Sequence, residues 1–219
     1  MKRRRGGNPY VGDSRTRDAQ ARGYPARSVF KLEEIDRRLR MFKPGQRVLD
    51  LGAAPGSWSL YASQRVGPRG CVVAVDLQPI TMALGPNVRG VQGDALALDD
   101  AVYAAEAPFQ VVLSDMAPKT SGAKERDQAL SVELFGRAVE VATCFGSQGS
   151  WLVAKLFMGP DFAVARQMVA RRYEEVRVIR PAGTRKPSSE IFIVGRAMRA
   201  PGSSLGAPNV HVEIDSRQD

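Results

Sequence analysis

Cysteine, histidine and tryptophan are scarce in this 219-residue chain, at two, one and two copies. Cys71 and Cys144 are too few and too far apart for a disulfide framework or a zinc site, so a reducing, cytoplasmic setting is expected. His211 lies in a polar stretch near the C-terminus, so neither a histidine base nor a histidine metal centre is expected, and no metal of any kind. Long apolar runs are absent too, and nothing approaches the roughly 18 residues of a membrane span. The head, Met1-Lys2-Arg3-Arg4-Arg5-Gly6-Gly7, has no apolar segment after its charges and does not match a secretory leader. What is present is an ordinary globular balance, 43% hydrophobic and 25% charged, which excludes a wholly disordered chain.

The net charge of +9 is unevenly spread. Residues 1–43 hold 13 Lys/Arg against 5 Asp/Glu, whereas the other 176 residues are nearly neutral. A basic arm on a neutral body suits a phosphate backbone; a solvated, solubilising tail is the plainer alternative. Residues 1–27 are polar and glycine-rich and read as an arm with little fixed structure. The folded domain is expected over 28–196, and residues 197–219, without periodicity, as a mobile tail.

Within the domain, Val29, Leu32, Ile35 and Leu39 recur at helical spacing, and Pro44-Gly45 closes that helix. Strands and helices then alternate. Strands are expected at 47–51, 71–77, 88–92, 109–114, 150–157, 175–180 and 191–194, and helices at 57–66, 96–105, 124–145 and 162–173. Continuous apolar strands separated by helices imply an α/β fold with a mostly parallel sheet covered on both faces.

In such a sheet, ligands bind at the carboxyl ends of the strands. The first strand runs into Asp50-Leu51-Gly52-Ala53-Ala54-Pro55-Gly56-Ser57-Trp58, where Gly52 and Gly56 allow close approach of a ligand to the backbone. The spacing is not that of a dinucleotide site, and Asp50 suits a cationic ligand better than a pyrophosphate. Alone, the segment could be a plain strand-to-helix turn. Asp76 ends the second strand and can accept both hydroxyls of a ribose; Asp94 follows the third. Either could be only a helix cap, but together they line one rim and favour a nucleoside. Asp115 ends the fourth strand, Lys155 interrupts the apolar fifth, Glu190 opens the last, and Lys31 sits in the first turn of the leading helix. A buried lysine requires a partner. Two structural salt bridges would account for these four residues, but two of them fall at strand ends, where ligands bind.

The segments D-L-G-A-A-P-G-S-W-S, L-S-D-M-A-P, V-A-K-L-F and S-E-I-F-I-V-G, with R-G-Y-P-A-R-S-V-F-K-L upstream, resemble the FtsJ/RrmJ family of ribosomal RNA 2′-O-ribose methyltransferases, from about Gly23 to Gly195. The resemblance implies a Rossmann-like class I methyltransferase fold with seven strands, the last antiparallel. It implies S-adenosylmethionine as cofactor, with Gly52, Gly56, Trp58, Asp76, Asp94 and Asp115 around it. It also implies that Lys31, Asp115, Lys155 and Glu190 form the catalytic tetrad. Asp76 would take the ribose hydroxyls and Asp94 the adenine edge. The substrate implied is a ribose, that of a uridine, in 23S ribosomal RNA within the large subunit, and the protein is expected to act as a monomer. Two departures stand out. Ser57 occupies a position where the family commonly has Gly, and Lys119 one where it commonly has Asn.

A ribose hydroxyl is a poor nucleophile, so alignment and proton removal should both matter. Lys155 is the expected base or steering group. Burial and the like charge of Lys31 favour its neutral form, whereas Asp115 and Glu190 oppose it. Competing readings are a 2′-O-methyltransferase of transfer or small-subunit RNA, a non-catalytic ribosome-assembly factor on the same scaffold, and a nicotinamide oxidoreductase, against which the glycine spacing argues.

Overall fold

The computed structural model describes residues 14–80, 82–182, 184, 188–200 and 209–213. Five strands, β1 (Arg47–Leu51), β2 (Cys71–Asp76), β3 (Val88–Gln92), β4 (Phe109–Ser114) and β5 (Gly146–Phe157), run parallel. They are followed by β6 (Tyr173–Ile179), β7 (Glu190–Met198) and β8 (Asn209–Glu213), giving one eight-stranded sheet of order β3-β2-β1-β4-β5-β7-β6-β8. Only β7 is antiparallel to its neighbours. The chain leaves β1 in one direction through β2 and β3, and returns to the other side with β4. The switch therefore lies between β1 and β4, where a crevice opens at their carboxyl ends.

Helices cover both faces. On one lie α2 (Val29–Leu39) and α3 (Ser57–Val66), with the fully buried Leu32, Ile35 and Ala62 packed on Val48, Val72, Val111, Val153 and Phe192. On the other lie α4 (Ala101–Ala104), α5 (Lys124–Phe145) and α6 (Phe162–Ala170), packed on Leu49, Val73, Val112, Leu152 and Ile193. The odd–even alternation of these strand residues is the period of the pleat. Each fully buried aliphatic chain contributes about 1.5–3 kcal/mol, so both faces are strongly specified. None of the described helices is long and apolar enough to cross a membrane.

Several expectations shift. An eighth strand exceeds the expected seven, because Asn209–Glu213, placed in the tail, pairs in parallel with β6 from Glu175 to Ile179. The arm holds a polar helix, α1 (Ser14–Ala21), whose single buried side chain is Ala19. The rest of the arm, residues 1–13, and of the tail, 201–208 and 214–219, lies outside the described residues. Helix α2 stops at Leu39, before Pro44, because Arg40 turns left-handed at φ 51° and donates its N–H to the Asp36 carbonyl. Helix α4 is four residues long rather than ten: Asp94 and Asp99 accept backbone N–H groups of Leu96 and Ala101, which favours turns over a helix. Strand β5 starts at Gly146, four residues early, and its pairing with β4 is irregular between Phe109 and Val111.

Candidate active site

The turn after β1 is shaped by backbone contacts. The Gly52 and Ala53 amides both donate to the Val75 carbonyl, at 2.9 and 3.1 Å, and the Asp115 amide donates to Leu51 at 3.1 Å. Gly52 has φ +77°, and a Cβ there would stand 2.8 Å from the Met116 nitrogen, so only glycine fits. These bonds draw the ends of β1, β2 and β4 around a cavity of about 270 Å³.

Its wall includes Gly52, Asp76, Asp94 and Asp115, four of the residues expected around a cofactor. Asp76 receives the Ala54 N–H at 2.9 Å on one carboxylate oxygen and the Gln78 N–H at 2.7 Å on the other. Each oxygen keeps a lone pair for a further donor. Gly56 and Trp58 do not line the cavity. Gly56, at φ +110°, packs so closely that a Cβ would meet Leu84 at 2.6 Å. Trp58 is buried, donates its indole N–H to the Ser28 carbonyl at 2.9 Å, and lies against Phe192.

Sequence reasoning did not single out the apolar walls, Leu77, Ala95, Met116 and Leu134. Leu77 is 58% exposed although it directly follows a buried strand, and an apolar residue after an acid at a strand end is the signal that could have found it. Arg137 of α5 steadies this rim: its guanidinium donates to the Ala95 carbonyl at 2.9 Å and pairs with Asp100 at 2.9 Å.

Asp50, expected to favour a cation, is fully buried. One carboxylate oxygen accepts the Ser59 hydroxyl at 2.6 Å, and the other has no partner. Burial, reinforced by the charges of Asp115 and Asp76, pushes its carboxyl from an ordinary 3.8 up to about 7. The native state thus holds a proton that the unfolded chain has lost between those values. From this group, stability falls as pH rises through that window and levels off above about 7. Asp50→Asn keeps an acceptor for Ser59 and cannot ionise. Its stability relative to the parent chain should increase from pH 4 to pH 7 and then level off, read from urea midpoints. A constant difference across that range would show that Asp50 does not titrate there.

The four residues expected to form a tetrad make two ion pairs, Lys155 with Asp115 and Lys31 with Glu190. On adjoining β5 and β7, Lys155 pairs with Phe192 and Phe157 with Glu190, so these four strand residues share one face. Lys155 is 7% exposed, and its ammonium donates to the Asp115 carboxylate at 2.9 Å and to the Asp115 carbonyl. From α2, Lys31 meets the Glu190 carboxylate at 2.5 Å, with its ammonium 5.9 Å from the centre of the Phe192 ring. Asp115 belongs to both groups: it lines the cavity and holds Lys155. The cavity and the Lys155 amine therefore meet at one carboxylate.

A parallel sheet with this strand order, a single antiparallel strand, and a glycine turn facing acids at the carboxyl edge is the Rossmann-like methyltransferase architecture. The FtsJ-like methyltransferase profile matches residues 24–198. Ribosomal RNA large subunit methyltransferase E of Sorangium cellulosum is 59% identical over 198 residues, covering 90% of this chain and 93% of that protein. The protein of the same name from Myxococcus xanthus is 44% identical over 199 residues, covering 89% and 93%. The chain belongs to the FtsJ-like methyltransferase family and is an RNA methyltransferase. Among solved structures, a Plasmodium falciparum protein described as a ribosomal RNA methyltransferase superposes with TM-score 0.70 at 22% identity, over 80% of this chain and 98% of that one. Fibrillarin of Aeropyrum pernix, solved with natively bound S-adenosyl-L-methionine, gives 0.54 at 17% identity, over 70% and 67%. Both likenesses are of fold.

Proposed function

We propose that this protein methylates a ribose 2′-hydroxyl in large-subunit ribosomal RNA, using S-adenosylmethionine, as a cytoplasmic monomer. The observation that carries the reading is the Lys155 amine fixed by Asp115 at the edge of the cavity. The names of the relatives support the large subunit as the source of the RNA.

The cavity suits S-adenosylmethionine. Gly52 lets the turn close on Met116 and wall the cavity, and Asp76 and Asp94 offer acceptors to hydroxyl and amine groups. When bound, that cofactor supplies a methyl group on a sulfonium. Asp76 would hold the ribose of the cofactor, Asp94 the adenine edge, and Leu77 and Ala95 an apolar wall for the base. Asp115 orients the Lys155 amine through two acceptors, its carboxylate and its carbonyl. Glu190 holds the Lys31 ammonium with its carboxylate. Lys155 steers the substrate hydroxyl or, with its amine neutral, accepts the proton that the hydroxyl gives up as its oxygen becomes a nucleophile, and Lys31 adds a second positive charge. The burial of Lys155 strengthens its pairing with Asp115.

The reading is tested by mapping 2′-O-methylation in RNA from cells lacking the protein. One ribose methylation should vanish from 23S RNA and return with the gene. Loss from transfer or small-subunit RNA instead would redirect the substrate, and an unchanged map would overturn the reading.

The basic arm is assigned to the RNA backbone. Deleting Lys2–Arg5 should weaken RNA binding and reduce the steepness of its salt dependence by as much as about 3 in log–log slope, since each phosphate contact contributes about 0.7–0.9. An unchanged slope would leave the arm a solubiliser.

A further inference from the structure

We propose that Ser57 is a positioning residue that couples the cofactor turn to Lys31, so that occupancy of the cavity governs how firmly this lysine is placed. The inference rests on the reading of the cavity as the methyl-donor site.

Ser57 is the first residue of α3, directly after Gly56, and is 1% exposed. Its hydroxyl makes two bonds to one residue. It accepts the Ala26 N–H at 2.8 Å and donates to the Ala26 carbonyl at 3.1 Å. The next residue, Trp58, donates its indole N–H to the Ser28 carbonyl at 2.9 Å. The carbonyls engaged in this way are the ones that begin α2: Ala26 also receives the Val29 amide at 3.4 Å, and Ser28 the Lys31 amide at 3.1 Å. The start of α3 therefore holds the first turn of α2 through two shared acceptors. Below them the Trp58 ring packs on Phe192 at 5.6 Å between centroids, and the Lys31 ammonium lies 5.9 Å from the centre of that same Phe192 ring.

On the other side Ser57 continues the turn that walls the cavity. Gly52 and Ala54 line it, and the Ala54 amide is held by Asp76. A ligand that engages Asp76 thus tightens a segment four residues long, from Ala54 to Ser57, whose end grips the approach to Lys31. The rest of α2 needs no such grip. Leu32 and Ile35 are fully buried, and Asp36 accepts the Tyr61 hydroxyl at 2.8 Å and pairs with Arg65 at 3.0 Å. Loss of the Ser57 hydroxyl should loosen the first turn while the helix stays docked. Such a link between two groups is a coupling free energy and is read as a ratio.

The experiment is hydrogen exchange of the full chain with and without S-adenosylhomocysteine, in the parent protein, Ser57→Gly, Ser57→Ala and Ser57→Thr. In the parent chain the ligand should slow exchange over 24–31 by about three- to tenfold, the scale of one or two modest hydrogen bonds. Ser57→Gly and Ser57→Ala should bind the ligand within about twofold of the parent affinity yet lose that slowing, and Ser57→Thr should restore it. Turnover at saturating cofactor should fall in the first two while the cofactor KM stays put. Equal slowing in the parent chain and Ser57→Gly, or none in the parent chain with ligand bound, would overturn the coupling alone. Failure of the parent chain to bind the ligand at all would overturn the cofactor reading, and the coupling with it.

Discussion

Lys155→Ala should lower methyl transfer by about 10²–10⁴-fold, the range that a positioned proton-transfer group supplies, while S-adenosylhomocysteine still binds. The separation of effects follows from geometry. Lys155 is not part of the cavity wall; it reaches Asp115, which is. Truncation removes the amine from the hydroxyl's path and leaves Asp76 and Asp94 untouched. It also leaves a partly buried Asp115 carboxylate without its cation, a destabilising change. Lys155→Met, which retains the packing of the stem among Phe192 and its neighbours, controls for this and should be as inactive as the alanine variant. Turnover checked against calorimetric binding distinguishes the roles. Full activity would remove Lys155 from the chemistry, and loss of ligand binding alone would make it a structural residue.

Asp76→Ala should produce the opposite pattern: affinity for the cofactor falls by about 100-fold or more, and turnover at saturation falls much less. Two charge-assisted hydrogen bonds to ribose hydroxyls at about 1.5–3 kcal/mol each account for that scale. The same substitution deprives the Ala54 and Gln78 amides of their acceptor, so the Gly52–Gly56 turn loosens as well. Asp76→Asn separates the contributions. It retains an acceptor for Ala54 but places an amide donor where a second acceptor stood, and it should recover stability without recovering affinity. Isothermal titration with S-adenosylhomocysteine provides the check. Parent-like affinity in Asp76→Ala would move the nucleoside elsewhere in the fold.

The parts of the fold written in short, continuous apolar runs were legible. β1, β2 and β4 are buried along most of their length and stand where the runs stand. The 22-residue α5 matches its expected bounds because Ala138, Val139 and Ala142 recur on its buried face. Polar segments were harder to read. β8 lies at the sheet edge, and Asn209, Val210 and His211 are all exposed, so burial does not alternate over these three residues. The start of β5, Gly146-Ser147-Gln148-Gly149, has turn composition, with Gly149 at φ 78°.

The site shows the same division. Strand-end acids and the intruding Lys155 could be placed from sequence, because a charge in an apolar run has few explanations. Trp58 illustrates what could not. Its position in the glycine motif implied cofactor contact, yet its indole is committed to Ser28 and Phe192 across the α2–α3 interface. That partner lies 30 residues upstream, and no local pattern encodes it. The isolation of Asp50 likewise depends on which oxygens surround it, something visible only once β1, β2 and β4 are assembled.

The account depends most directly on where the methyl group arrives. Purified protein, S-adenosylmethionine labelled in its methyl group and large subunits from cells lacking the enzyme should be combined, and the RNA digested to nucleosides. The expected result is label confined to a 2′-O-methylated ribose, and none when Lys155→Ala replaces the parent protein. Label on a base, or equal labelling by the lysine variant, would contradict a site built to deliver a ribose hydroxyl to the methyl donor.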